Sequence, residues 1–328
     1  MNKISLEHGS GGKLMRELIS LSILKYLKNP ILENLSDSAL LKNNIAFTTD
    51  SYVVDPLFFP GGDIGTLCIN GTINDLVVSG AKPEYISLSL IIEEGFEVEK
   101  LEKILNSIRS ASKKADVLVT TGDTKVVNRG QCDKIFINTS GIGHMESVPL
   151  ISKISPGDKI ILTGTLGEHS LAIMLARGDF GMESEVISDC APLNFLISIW
   201  KKGALWMRDI TRGGLVSVLS ELCDIIPFPI IIEEEKIPLS RAVKGATELL
   251  GIDPLYLACE GRAVVIAPEK KASEILREIK KTKLGKKAEI IGQIEKKIGK
   301  KGELLLSTQS GGMRLLEPLT SELLPRIC

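Results

Sequence analysis

No two of the six cysteines in the 328-residue chain stand in C-x-x-C spacing, and the three histidines (His8, His144 and His169) show no ligand pattern. These absences disfavour a structural zinc site and a disulfide framework, so a reducing compartment is the expectation. Aromatic residues make up 4% of the chain. The lysines crowded between 270 and 301 therefore lack the interleaved aromatics of a nucleic-acid surface and read as a solvated face. A net charge of −1, from 40 basic and 41 acidic residues, leaves no general footprint for a polyanion. No apolar stretch approaches the ~20 residues of a membrane span. The opening MNKISLEHGSGGK turns polar and Gly-rich where a secretory apolar region would stand. We therefore expect a cytoplasmic protein with neither membrane nor nucleic acid as partner. The G-x-x-x-x-G-K-[ST] phosphate loop is absent too, and no G-x-G-x-x-G fingerprint follows a strand.

What is present is an ordinary globular composition, 44% hydrophobic and 25% charged, over a length that suits two domains. Periodicity predicts helices over residues 13–27, 63–79 and 97–115 in the first half. Strands are expected at 45–49 (ending at Asp50), 85–92, 117–121 (ending in a Gly-Asp turn) and 134–144. The turn-rich piece 152–158 reads as a joint. Beyond it, strands are expected at 159–163, 230–233, 263–267 and 289–295, with helices at 168–176, 214–223, 240–250 and 271–282. The fold class is α/β, in the sense of two mixed α+β layers per half. The division is an N-terminal domain over 1–151, a larger C-terminal domain over 152–311 and an extended tail over 312–328. Pro318 and Pro325 discourage a helix in that tail.

Four acidic residues sit beside Gly, Thr or Asn at expected strand ends or turns. They are Asp50 in TTDSYVVDP, Asp75 in NGTINDLVVSGAKP, Asp123 in TTGDTKVV and Asp209 in MRDITRGGL. Each alone has a plain structural explanation as a turn or helix-cap residue. Four carboxylates at such places make an oxygen-rich site suited to Mg²⁺, the ion that bridges nucleotide phosphates. The glycine clusters HGSGGK, FPGGD and TRGGL let backbone N–H groups approach an anion, and two of them lead into expected helices. Lys125 and Arg212 add cations for phosphate oxygens. Residue chemistry alone thus reaches a two-domain protein that binds Mg²⁺ and a nucleotide without a phosphate loop, as an enzyme or as an ATP-gated binding module.

The segments EHGSGGKLMRELI, TTDSYVVDPLFFPGGDIGTLCINGTINDLVVSGAKPEYIS, TGDTKVV, INTSGIG, RDITRGGL and the terminal PRIC, in this order, carry a more specific resemblance. The chain resembles the superfamily of aminoimidazole ribonucleotide synthetase, selenophosphate synthetase and thiamine monophosphate kinase, and most closely the HypE family of hydrogenase-maturation proteins. The resemblance spans nearly the whole chain, and PRIC is its discriminating piece. It implies a homodimer whose N-terminal domains pair into a shared β-barrel, with ATP in a cleft beside the larger C-terminal domains and a flexible C-terminal tail. The implied activity is ATP-dependent dehydration of an S-carbamoyl group on Cys328 to a protein-bound thiocyanate, supplying cyanide for the iron of NiFe hydrogenase. A HypF-like carbamoyltransferase is the implied donor, and a HypC–HypD-type iron-carrying complex the acceptor.

Carried over motif by motif, Asp50, Asp75, Asp123 and Asp209 hold Mg²⁺ and phosphates. Gly11, Gly12, Lys13, Thr124, Arg212, Gly213 and Gly214 join Asp50 and Asp123 around the nucleotide. Lys125 in GDTK and Glu260 in CEGR act on the reacting group, with Asp75 as the reserve base. The chain departs from the family at Cys259, where Asn commonly precedes Glu-Gly; this removes an amide hydrogen bonder near the implied site. A reactive thiol there ranks below inert packing. The nearest rival is a small-molecule ATP-dependent synthetase or kinase of the same superfamily. A rival of another class is a non-catalytic scaffold that uses ATP only to set the tail's position.

Overall fold

In a computed structural model, residues 3–9, 11–178, 185–296, 298–320 and 326–328 are described. The expected N-terminal helix is helical throughout but in three pieces: α1 (Lys13–Leu18), a π-helical stretch Ile19–Ile23 and α2 (Leu24–Leu27). Its charge pairs lie in the second half of the chain, where Arg16 meets Glu221 at 3.5 Å and Asp224 at 2.9 Å.

The first sheet has the order β1 (Ala39–Leu40), β2 (Ile45–Tyr52), β7 (Ile135–Met145), β5 (Ala81–Glu93) and β6 (Leu118–Val127). Only β5 and β6 run parallel. A small ribbon of β3 (Phe58–Phe59) and β4 (Gly62–Asp63) leads into helix α3 (Ile64–Val78), and α4 (Val98–Ala115) follows β5. Two expectations shift here. Asp50 lies inside β2, and Gly122 and Asp123 lie inside β6, because the pairs Asp50↔Thr139 and Ser89↔Asp123 carry the ladders past residues of low strand propensity. Helix α3 starts where Asp63 Oδ1 accepts the Thr66 N–H at 2.7 Å, a cap worth about 1 kcal/mol. It is buried on nearly every side. One flank packs on β2 and β7, and the other meets the second half, where Trp200 Nε1 donates to the Val77 carbonyl at 2.9 Å.

The second half contributes β8 (Lys159–Leu162), α5 (Glu168–Arg177), α6 (Leu196–Lys201), β9 (Trp206–Asp209), α7 (Gly214–Ile225), β10 (Ile230–Glu233), α8 (Arg241–Leu250), β11 (Ala263–Ala267), α9 (Glu269–Lys281), β12 (Glu289–Ile294), β13 (Leu304–Ser307) and β14 (Met313–Leu316). They form a sheet of order β14-β13-β10-β12-β8-β11-β9, parallel only at β10–β13. Its central strands are apolar on both faces. Ile160, Leu162, Val264 and Ile266 pack with Leu215 and Leu219 of α7. Ile161 and Val265 join Ile275 and Ile279 of α9 in one core that extends to Ile69 and Ile73 of α3. The two sheets thus share an interior.

The expectation of a loose tail from residue 312 needs correction. Residues 313–316 are β14, paired in register with β13 across the turn at 308–312, where the Thr308 N–H donates to the Gly312 carbonyl. Four residues are too short to carry a period. Of the expected tail, Pro325 lies outside the described residues, while Arg326, Ile327 and Cys328 are docked against the body, as set out below. Among the described residues no helix is long and apolar enough to cross a membrane.

Leu162 is fully buried in the central strand β8. Leu162→Ala is expected to destabilise the fold by about 3 kcal/mol, read as a lowered denaturation midpoint with an unchanged slope. A loss under about 1 kcal/mol would contradict this packing.

Candidate active site

Carboxylates from five separate segments converge where α3 faces the end of β9. Asp37 comes from the loop before β1, Asp50 from β2, Asp75 from α3, Asp209 from the last position of β9 and Glu260 from the loop before β11. Oxygens of Asp37, Asp75 and Asp209 lie within 4.8 Å of one another. Arg208 Nε reaches Asp37 at 2.8 Å, and its Nη1 is divided off to Glu221 at 3.2 Å. The Thr48 hydroxyl lies 2.8 Å from both Asp75 Oδ2 and the Asp37 carbonyl. One hydroxyl proton is shared between these two acceptors, so Asp75 receives less than a full hydrogen bond from it.

Electrostatics agree. Burial, then the neighbouring Asp50, Asp209 and Asp37, pushes Asp75 well above the usual carboxylate range. Burial also raises Asp209, with Asp37 adding to it. Asp37 is pushed up to about 6, burial outweighing the attraction of Arg208. The Glu260 carboxyl is raised by burial and by Asp209, Asp189 and Asp50, with Arg212 opposing. Crowded oxygens that favour the protonated form for want of cations are what a divalent ion with oxygen preference would neutralise, so the donor set fits Mg²⁺.

Glu260 is held through its backbone. Its N–H donates to Asp189 Oδ1 at 3.1 Å, and its carbonyl accepts from the Ala191 N–H at 3.2 Å and from Asn74 Nδ2 at 3.3 Å. Asn74, next to Asp75 on α3, also accepts the Leu193 N–H at 2.8 Å. Asp189 in turn faces Arg262 at 3.6 Å. Cys259 is fully buried, its sulfur accepts the Gly167 N–H at 3.3 Å, and burial raises its thiol far above the reactive range. Its place is packing.

Two of the glycine loops abut each other. Arg212 Nη1 donates to the Gly9 carbonyl at 3.0 Å, and the Lys13 N–H to the Leu319 carbonyl at 3.2 Å. Gly12 has no room for a Cβ, which would strike the Leu319 carbonyl. Gly214 opens α7 at φ +65°, where a Cβ would meet the backbone of Leu255 and Tyr256. The Ser217 hydroxyl, one turn into α7, is buried with no hydrogen-bond partner among the described residues. Gly11, Gly12, Arg212, Gly213 and Gly214 thus come together at a helix N-terminus, which suits an anion; the Lys13 side chain stands exposed beside them. The FPGGD loop lies apart, with the Pro60 carbonyl accepting the Ser188 N–H at 2.8 Å.

Asp123, Thr124 and Lys125 do not join the cluster within one chain. Lys125 Nζ sits 3.1 Å from Asp123, which also accepts the Thr124 N–H, and these contacts hold Asp123 below the usual carboxylate range. Cross-strand pairing Ser51↔Asn138↔Ser89↔Asp123 puts Asp123 on the face of the first sheet away from α3, whereas Asp50 and Tyr52 point to the α3 side. Sequence reasoning passes over Asp37, although its S-D-S setting resembles the other acidic turns. Asn74 stands in the NGTINDLVVSGAKP segment beside Asp75 but was not singled out, and Asp189 carries no motif that marks it.

The C-terminus lies against this region. The Cys328 carbonyl accepts the Val53 N–H at 3.1 Å, and Cys328 packs on the shared core. Val53 directly follows Tyr52, whose hydroxyl donates to Asp50 at 3.2 Å.

Two sheets sharing one core, a carboxylate cluster at their seam and paired glycine loops define an AIR-synthase-like two-domain protein. Residues 35–145 match the family of AIR synthase related proteins, N-terminal domain, and residues 155–304 the C-terminal domain of the same proteins. More narrowly, the chain belongs to the HypE family. It is 41% identical to the carbamoyl dehydratase HypE of Rhodobacter capsulatus, over 99% of this chain and 98% of that protein. It is similar to a solved HypE–HypF complex (TM-score 0.87, 42% identity, 92% of this chain and 99% of the other). It is likewise similar to a HypE structure in complex with ATP (TM-score 0.83, 40% identity, 99% and 100%).

In metal-free buffer the raised carboxylates bind protons more tightly folded than unfolded. The stability they contribute is therefore present at low pH and lost as pH rises from the ordinary carboxylate range through the folded value, about 6 for Asp37. Asp75→Asn removes one such charge. With chelator present it is expected to melt higher than the unaltered chain at pH ~8, the gain vanishing toward pH ~2.5, below the ordinary carboxylate range, where Asp75 is protonated in both states. Calorimetry across that range checks it; a difference independent of pH counts against the charge crowding.

Proposed function

We infer that this chain uses ATP to dehydrate a carbamoyl group carried on its own Cys328 to a thiocyanate, within NiFe hydrogenase maturation. The observation that carries this is the docked C-terminus: the Cys328 carbonyl accepts the N–H of Val53, the residue after Tyr52, whose hydroxyl donates to Asp50 of the carboxylate cluster. Support also comes from relatives named carbamoyl dehydratase and from HypE structures holding ATP or HypF.

Oxide is a poor leaving group, so an S-linked amide does not lose water unaided. Transfer of the ATP γ-phosphoryl group to the amide oxygen converts that oxygen into phosphate, which leaves as a base removes the nitrogen protons. The products are S–C≡N, ADP and phosphate. The glycine loops and the α7 N-terminus bind and align the phosphates. Mg²⁺, held by Asp50, Asp75 and Asp209 with Asp37, would neutralise phosphate charge. Glu260, protonation-prone and fixed by Asp189 and Asn74, serves as the base, with Asp75 in reserve.

A second copy completes the assembly. Phe47, Ile142, Tyr85 and Leu118 form one cross-strand row of exposed apolar side chains on the open face of the first sheet. Every residue from Leu118 to Val126 of the edge strand β6 is exposed. A homodimer that covers this face and closes the sheets into a barrel would bring Asp123, Thr124 and Lys125 into a shared cleft. Carbamoyl transfer from a HypF-like donor and delivery to a HypC–HypD-type acceptor require Cys328 to leave the seam. Counted from Leu316, the chain beyond β14 could reach on the order of 40 Å.

Intact-mass analysis tests the reaction. With donor enzyme, carbamoyl phosphate and MgATP, Cys328 should gain a carbamoyl group that then loses the mass of one water only when ATP is present. A persistent carbamoyl mass, or turnover of a free substrate after Cys328 is deleted, would sink the reading. Glu260→Gln and Lys125→Ala should retain the carbamoyl step and slow the water loss by about a hundredfold or more; full activity removes either residue from the mechanism. For the dimer, Ile142→Asp together with Tyr85→Lys should shift sedimentation to the monomer, and an unchanged dimer would exclude this face.

A further inference from the structure

The last three residues occupy a receptor that the proposed chemistry does not account for. His169 on α5 is fully buried, edge-on to Phe59 with ring centroids 5.5 Å apart. Its Nδ1 lies 2.8 Å from Ser188 Oγ, which already accepts the Cys190 N–H at 3.1 Å. The Ile327 carbonyl opposite Nε2 can only accept, so the Ser188 hydroxyl donates to Nδ1 and the ring proton sits on Nε2. That nitrogen lies 2.7 Å from the Ile327 carbonyl. One residue back, the Arg326 carbonyl accepts from the Asp55 N–H at 3.2 Å and from the Arg177 guanidinium. The Arg326 side chain donates to the Val53 carbonyl at 2.9 Å and to Asp133 at 2.6 Å. Ile327 is buried between these two anchors.

We propose that His169, Arg177 and Asp133 form a docking receptor for the chain's final peptide, and so act as positioning residues that set how long Cys328 stays at the seam. The proposal rests on the dehydratase reading for its purpose, although the docking itself does not. His169 addresses a main-chain carbonyl, so it reads the position of the peptide rather than the chemical state of the thiol. Free, carbamoylated and cyanated tails would all be bound the same way, and Asp133 supplies the sequence-specific contact to Arg326. Arg326 adopts φ +56°, a left-handed conformation that a non-glycine residue keeps only where surrounding contacts impose it. The docked state is thereby held by the receptor and opposed by the tail's own backbone.

Alkylation of Cys328 by iodoacetamide, followed peptide by peptide in the full chain, measures the undocked fraction without any turnover. His169→Leu is expected to speed that alkylation about tenfold, the effect of one lost buried hydrogen bond. His169→Gln, whose amide can donate to the same carbonyl, should restore most of the protection. Should the buried His169→Leu fail to fold, Asp133→Ala at the surface decides, with an expected increase of severalfold. Alkylation unchanged in these variants overturns the receptor. Faster alkylation with an undiminished rate of thiocyanate formation overturns its positioning role. Protection as expected while no chain, altered or not, forms thiocyanate would remove the dehydratase reading and leave the receptor standing.

Discussion

Drawing several carboxylates out of water into one seam costs several kcal/mol for each ion that lacks a counter-charge. The junction between the two sheets gathers carboxylates from five segments; Arg208 pairs with Asp37 but is shared with Glu221, and Arg212 opposes the rise at Glu260. Only a rigid frame can hold such an arrangement. Here that frame is α3, an almost wholly buried helix whose far end is tied to the second half through Trp200 and whose Asn74 and Asp75 face the site. The shared core beneath it leaves the seam no easy way to relax by separating the halves. The strain stays where a cation would relieve it.

This frame also sets the chemistry open to Glu260. Its carboxyl is raised first by burial and next by Asp209, which stands on the neighbouring strand end. Positive charge that compensates Asp209 and Asp50 would remove part of the repulsion that raises the Glu260 carboxyl. The backbone clamp from Asp189 and Asn74 fixes the residue.

The long, periodic elements were readable because burial on one side imposes their spacing: α4, β5, α9 and the central strands of the second sheet fall where apolar periodicity puts them. Short elements such as β13 and β14 were not, since four residues hold too little period to separate strand from loop. Asp50 and Asp123 look alike in sequence, each an acidic residue amid threonines, and pleating sends them to opposite faces of one sheet. No motif carries that information; it follows from register across β7 and β5. Asp37 went unread because its segment has no period at all. The glycine loops were legible as anion binders, whereas their mutual contact, Arg212 against Gly9, joins residues 203 positions apart and exists only in the fold.

A tethered substrate changes what counts as adequate binding. With fewer than ten residues between β14 and the docked peptide, the local concentration of that peptide is on the order of millimolar or above, so a receptor of weak intrinsic affinity already holds it much of the time. Tighter binding would trap the thiol at the seam and close it to other proteins. The few polar contacts to Arg326 and Ile327, one buried apolar side chain and an unfavourable φ at Arg326 fit this requirement: enough for occupancy, too little for permanence. Residence at the seam and availability outside it are then set by the same small difference in free energy, which a single change at His169 or Asp133 is large enough to move.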